Sequence, residues 1–391
     1  MKFVFWLYVG VMLVSCKSDD VQSNNFSLVP FDTTRIQIDT ATGHYLYDLH
    51  LSQPAATELL SFFNPHNYSL YLYNWRLRKH VASIVLQKDG NNGVGYSELL
   101  GHALITDNLF LVYNPDSRKL FKVNVAGEVL KSYDLKTASA FQNSFSLPVV
   151  CAFSPMVVLD SANIVLLANA ATAKPNAYQQ TYCAFRVHLS DSLLATPFLP
   201  YPKIYDLGNW GDYLPYIHYS THSSTNNKLI SSFPRSDSIV ITNLSSLQTK
   251  SKWVGSAKFS EQSVKPLSYD SHKEWPDRDD QILYDFTTPS FSHVVYDGVN
   301  HVYYRLCFST PPSKSVIAQN NGNFRIGQGL SVIVMDSAFN KLCETTLPTD
   351  TYNGEVMFAS NGVLYFLLKA SRQDQEDRLQ FHGYKLEKVR K

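Results

Sequence analysis

An all-β fold, a six-bladed β-propeller with seven blades as the alternative count, is what this sequence predicts, and three observations carry the prediction. Similar units of apolar run, polar turn, second apolar run and hairpin recur along the 391 residues. Amphipathic helices are nearly absent: Ala56 to Phe63 and Gln373 to Leu379 are the only candidate stretches, and both are short. No Pro/Gly/Ser-rich linker or shift of composition divides residues 31 to 391, which disfavours the competing arrangement, a pair of β-sandwich domains. A unit that is apolar on both faces cannot bury them alone. Stacking such units around an axis covers both faces and leaves only short edges.

Residues 1 to 15 read as a lipoprotein signal peptide. Lys2 supplies the positive charge, Phe3 to Met12 forms an apolar run too short to span a bilayer comfortably, and Leu13-Val14-Ser15-Cys16 places a small residue before a cysteine. Cys16 is then the lipidated N-terminus, and an uncleaved anchor is the alternative. Lys17-Ser18-Asp19-Asp20 resembles the acidic export signal of surface-exposed Bacteroidetes lipoproteins. Residues 16 to 30 are polar, with Ser23-Asn24-Asn25 among them, and read as a flexible tether.

Residues 31 to 391 follow as the propeller domain. Arg35 to Leu51 precedes the first unit and is expected to add an outer strand to the last blade, closing the ring against residues around Phe381 to Val389. Six units then start near Leu59, Gly101, Ser154, Pro215, Phe286 and Gly354, at spacings that suit four-stranded blades with unequal loops. The clearest runs from Asn108-Leu-Phe-Leu-Val-Tyr-Asn114 through the turn Pro115-Asp116-Ser117 to Lys119–Val125, where Phe121, Val123 and Val125 share a face. Ala126-Gly127 turns the chain into Glu128 to Leu135. Related hairpins lie at Arg186 to Leu193, Ser238 to Leu247 and Val332 to Leu342.

The lipobox, the Tyr71-Leu72-Tyr73-Asn74 run, the Lys88 to Gly95 loop and Tyr303-Tyr304-Arg305 together resemble a family of six-bladed propeller lipoproteins of gut Bacteroides, similar in architecture to TolB-like and NHL-like propellers. The resemblance implies the fold and a cell-surface address on the outer membrane. It implies no activity.

Composition bounds the partners. Loss of Lys2 with the leader takes the balance from 34 basic against 33 acidic residues to 33 against 33, which argues against nucleic acid or an anionic membrane surface. Membrane contact is expected through the lipid on Cys16 alone. Cys151, Cys183, Cys307 and Cys343 have no metal-ligand spacing and read as small core residues, with disulfides left open.

Catalytic signatures are missing. Residues 88 to 95 are Gly-rich but open no helix, so they read as a connection between blades, not as a phosphate cradle. His218 and His222 are four apart on an expected strand or loop, where they would not converge on one ion. Asp277, Asp279 and Asp280 lack the spacing of a calcium loop and read as a solvated loop. No Gly-x-Ser-x-Gly elbow occurs. No metal or cofactor is therefore expected. The strongest functional hint is loop aromatics: Trp210, Tyr213 and Tyr216, with Trp275 in a second insertion, suit stacking on sugar rings or anchoring an envelope protein. Trp75 and Trp253 are weaker members of that set. The expected function is a binding or scaffold module of the cell envelope, with a hydrolase or lyase working in the propeller funnel as the alternative. A pocket holding several converging carboxylates, histidine and arginine would favour the enzyme, and a broad aromatic loop surface without such convergence would favour binding.

Overall fold

A computed structural model describes residues 25–43, 46–52, 57–142, 146–170, 181–211, 217–260, 262–268, 277–309, 329–374 and 377–389. Cys16 and the leader lie outside them.

The chain opens with strand β1 (Phe26–Gln37). Blade 1 is β2 (His50–Ser52), β3 (Leu59–Asn64), β4 (Ser69–Asn74) and β5 (Lys79–Val85). Blade 2 is β6 (Gly101–Thr106), β7 (Leu109–Asn114), β8 (Lys119–Asn124) and β9 (Val129–Asp134), after which helix α1 (Ser139–Gln142) follows. In blade 3 the first strand is split into β10 (Ser146–Pro148) and β11 (Val157–Val158), both pairing with β12 (Asn163–Ala170), and β13 (Tyr182–His188) and β14 (Leu194–Pro200) complete it. Blade 4 is β15 (Tyr219–Ser223), β16 (Lys228–Ser232), β17 (Ser238–Asn243) and β18 (Thr249–Trp253). Helix α2 (Arg278–Thr287) leads to blade 5: β19 (Ser290–Asp297), β20 (Val302–Phe308), β21 (Leu330–Met335) and β22 (Lys341–Leu347). Blade 6 is β23 (Tyr352–Ser360), β24 (Val363–Leu368) and β25 (Arg378–Lys388), with β1 as its outermost strand. The six sheets form a six-bladed propeller.

Ring closure is earlier in the chain than the sequence suggests. β1 runs antiparallel to β25 from Phe26 opposite Lys388 to Gln37 opposite Arg378, so residues 26 to 30, expected as tether, are strand. Residues 50–52 instead form the first strand of blade 1. Pro30 falls where the register shifts. An edge strand tolerates the missing N–H there.

Burial explains why the blades need one another. Among the described residues, the buried apolar side chains form six clusters, each between two neighbouring blades. Leu72 of blade 1 shares a core with Phe110 of blade 2, and Leu229 of blade 4 shares one with Leu167 of blade 3. Middle strands such as β4 and β24 are buried on both faces, whereas the outer strand β18, Thr-Lys-Ser-Lys-Trp, is exposed throughout. Lysines on such an edge discourage pairing with another chain.

The alternation of β20 shows how one strand serves two interfaces. Tyr303 faces the core with blade 4, and Tyr304 the core with blade 6. Arg305, fully buried, points back to blade 4: Nε donates to Ser232 Oγ at 2.9 Å, and the guanidinium also donates to the carbonyls of Ser236, Asp237 and Val254 at 2.6 to 3.0 Å. The plane lies 3.6 Å from the Phe291 ring centroid. Blades 1 and 6 have a similar clasp. Glu58, almost fully buried, accepts from Ser360 Oγ, Asn361 Nδ2 and Arg76 Nε, while Trp75 packs edge-on against Phe358, Tyr365 and Phe381.

Three sequence expectations are corrected. The described residues of Ala56–Phe63 hold no helix: Leu59–Asn64 is β3 with every residue buried, Ser61 and Asn64 included, and burial on both faces suits an inner strand better than a one-sided helix. The described residues of Gln373–Leu379 hold no helix either, and Arg378 already starts β25. Helix α2 occupies the expected acidic loop, with Asp279 and Asp280 in its first turn, where carboxylates favour the positive end of the helix dipole. The Lys88 to Gly95 segment connects blades 1 and 2 as read, closed by Val94 N–H donating to Gln87 O at 2.8 Å. Cys151, Cys183, Cys307 and Cys343 are all buried and free.

Candidate functional site

The first strands of the blades surround an axial channel of about 720 Å³, lined by residues of all six blades. His50 on β2, His102 on β6, His222 on β15 and His293 on β19 are among them. Asp48 stands behind His50 and His102.

Local packing fixes this group. Leu46 and Leu49 are buried in the core between blades 1 and 6, and the Ala152 N–H donates to the Tyr47 carbonyl at 2.9 Å, so the turn carrying Asp48 is held on both sides. Asp48 is 1 % exposed. His102 follows Gly101, where a Cβ would come within 2.3 Å of Val150, so the strand can approach blade 3 only with glycine there. Asp48 accepts hydrogen bonds from His50 Nε2 through one oxygen and from His102 Nδ1 through the other. His102 Nε2 lies 2.7 Å from Ser61 Oγ. Burial alone would raise the Asp48 pKa, but the charges and hydrogen bonds of His102 and His50 outweigh it and hold the carboxyl below its ordinary value.

Asp48, His102 and Ser61 have the connectivity of an acid–base–nucleophile relay. Ser61 is nonetheless buried on β3 and is not among the residues that line the channel. Phe153 and His293, which line the channel, pack together with Tyr219 across blades 3, 4 and 5 with ring centroids 4.9 to 5.9 Å apart. His293 Nε2 donates to the Glu355 carbonyl at 2.9 Å, and Nδ1 then accepts from Ser292 Oγ at 2.9 Å. That pairing fixes one neutral tautomer.

The aromatic surface read from the sequence is changed at its centre. Trp210 is not a loop-face ring: it is 1 % exposed inside the core of blades 3 and 4, and its Nε1 donates to the Ile204 carbonyl at 3.2 Å. Its neighbours Asn209 and Gly211 are turn-type residues that point to a loop face, whereas the ring itself is part of a blade core. Tyr213, Tyr216 and Trp275 lie outside the described residues. Trp75 is core, and Trp253 is 66 % exposed on the outer edge of blade 4.

His218 and His222 do not converge. His218 is buried against Phe233 and Asn169, and burial pushes its pKa down to about 3. His222 lines the channel, about 13 Å along an extended chain.

The Asp48, His50 and His102 group was missed in the sequence. The one local signal was Asp48-Leu49-His50, two side chains at the strand period that return to one face. His102 is brought beside them only by the packing of blade 2 on blade 1.

No curated protein matches this chain. Among solved structures, a member of the same type of family from Bacteroides vulgatus is similar over 94 % of this chain and 99 % of its own, with TM-score 0.76 and 19 % identity. A Bacteroides fragilis protein named as exported is similar over 95 % of this chain and 98 % of its own, with TM-score 0.53 and 11 % identity. Both likenesses are of fold. Residues 23–346 match the family model described as a domain of unknown function, DUF4221, which is the description carried by the Bacteroides vulgatus protein too, and on that match this chain belongs to the DUF4221 family.

Proposed function

We propose that this protein is a lipid-anchored binding module of the cell envelope, and that its ligand, a glycan or peptide segment, enters the axial channel. The observation that carries the reading is the lining of a cavity of about 720 Å³: all six blades contribute to it, with four histidines and many apolar side chains but no arginine and a single carboxylate, Asp297, among the described residues that line it, which is short of the set expected of an enzyme funnel. That volume falls in the range of about 300 to 1,000 Å³ usual for ligand pockets. Burial of Trp210 removes the central ring of the competing loop surface. Ser61 lies off the channel, which favours binding over a hydrolase or lyase reading.

The envelope address rests on the lipobox at Cys16, with Asp19 and Asp20 behind it as the export signal to the outer face of the outer membrane. The Bacteroides fragilis neighbour, named as exported, is in keeping with it. No helix among the described residues is long and apolar enough to cross a membrane.

Thr221 on β15 lines the channel and is only partly buried, so Thr221→Trp fills the channel without opening a core. Glycan and peptide arrays probed with the detergent-purified chain should show ligands whose binding falls at least tenfold in that variant at an unchanged melting temperature. Binding that survives the filled channel, and is lost instead on replacing Tyr213, Tyr216 or Trp275 with Ala, would move the site to the loop aromatics.

A further inference from the structure

Asp48, His50 and His102 are the group among the described residues whose three ligand-type atoms all lie within 4.8 Å of one another. We propose that they bind a divalent transition-metal ion, zinc in the first instance, on the wall of the axial channel; the role of that ion in ligand capture rests on the channel reading above, but its binding does not.

The donor set argues for it first. Two imidazole nitrogens and one carboxylate oxygen are the number and kind of protein ligands that zinc takes where it keeps a further position open. Calcium and magnesium prefer sites built from oxygen alone. Spacing is the second argument. Ligands about 2.0 to 2.2 Å from a tetrahedral ion stand about 3.3 Å apart, so atoms already gathered within 4.8 Å need side-chain adjustment only.

The surroundings argue for it too. Asp48 and His102 are buried, and the Asp48 turn is anchored by Leu46 and Leu49, so little order remains to be imposed on binding. Ser61 Oγ, 2.7 Å from His102 Nε2, can accept from a protonated Nε2 once the ion displaces the Nδ1 proton held against Asp48, which frees the Nδ1 lone pair for the metal. Such a partner on the far nitrogen is the usual companion of a metal-bound histidine. His50 and His102 both line the channel, so the position the protein leaves open faces it. The other two channel histidines differ: His293 has both nitrogens engaged, and His222 stands on another wall.

The test uses the detergent-purified full chain, stripped with chelator and titrated calorimetrically with zinc chloride, with cobalt(II) absorption as a spectroscopic check. One zinc per chain is expected, together with a rise in melting temperature at saturation. His50→Ala and Asp48→Asn should each weaken binding at least 100-fold, while His188→Ala, an exposed histidine on β13, leaves it unchanged. His50 carries the least buried ring of the three, so its variant should melt like the metal-free wild type and gain nothing from zinc. Absence of stoichiometric binding by a cooperatively melting wild type overturns the proposal, as does binding that survives both substitutions. No channel ligand is present in this titration, so it can succeed or fail independently of the Thr221→Trp result.

Discussion

His218 shows how one buried side chain makes the whole fold sensitive to acid. Its ring sits between blades 3 and 4 with Nδ1 3.3 Å from Asn169 Oδ1 and, among the described residues, no hydrogen-bond partner for Nε2, an arrangement that suits the neutral imidazole. Burial lowers its pKa from 6.5 to about 3. Because the folded value lies below the unfolded one, the stabilisation is complete above pH 6.5 and is lost as pH falls from there towards 3. The loss is about 1.4 kcal/mol per pH unit, or about 3 kcal/mol by pH 4.5. Denaturant titrations of His218→Gln should therefore fall off less steeply than wild type between pH 6.5 and 4.5 by about that amount, and equal slopes would show that this ring does not set the acid limb. Trp210 teaches a related lesson at the same scale: a ring flanked by turn residues is a surface ring only if the fold leaves the end of the blade core open.

At the scale of the element, β1 is the strand on which the ring depends. It covers β25 along its full length, and it delivers Leu28 to the core between blades 5 and 6 and Ile36 to the core between blades 6 and 1. One strand from the N-terminal end thus joins the last blade to both of its neighbours. Ile36→Ala should cost about 2 to 5 kcal/mol in chemical denaturation, the range for a buried isoleucine that leaves a cavity. Removing residues 26–37 should abolish cooperative unfolding, because β25 becomes a bare edge and two cores open together. A truncated chain that still melts in one sharp transition would mean that closure is carried elsewhere, with the Glu58 clasp and Trp75 as the candidates.

For the whole molecule, six inter-blade cores make a rigid ring around a polar, histidine-lined axis, and the lipidated cysteine read from the sequence would hold that ring at a membrane. The anchoring segment and the ring do separate work, so they can be separated by mutation. Cys16→Ala should leave an unprocessed or mislocalised chain in membrane fractionation while the propeller folds with the same melting temperature, since acyl chains supply the membrane affinity and no described helix can. Normal processing and fractionation of that variant would remove the lipoprotein reading and leave the fold untouched.

By itself the sequence determined the class, the blade count and much of the order. The hairpins at Arg186, Ser238 and Val332, and a unit beginning at Gly101, are where the structure has them, because turn residues and apolar runs are local signals. It also determined the family, through motifs spread along the chain. Tertiary structure alone decided which strand closes the ring, that an acidic segment is helix α2, and that Trp210 is core. It alone assembled the channel group as well: Asp48 and His50 are neighbours in sequence, but His102 lies on another blade, and only the stacking of blades brings its ring to the same carboxylate. Local patterns specify strands and turns. Which side chains meet on the axis depends on how six nearly equivalent sheets are rotated against one another, and no short stretch of sequence encodes that.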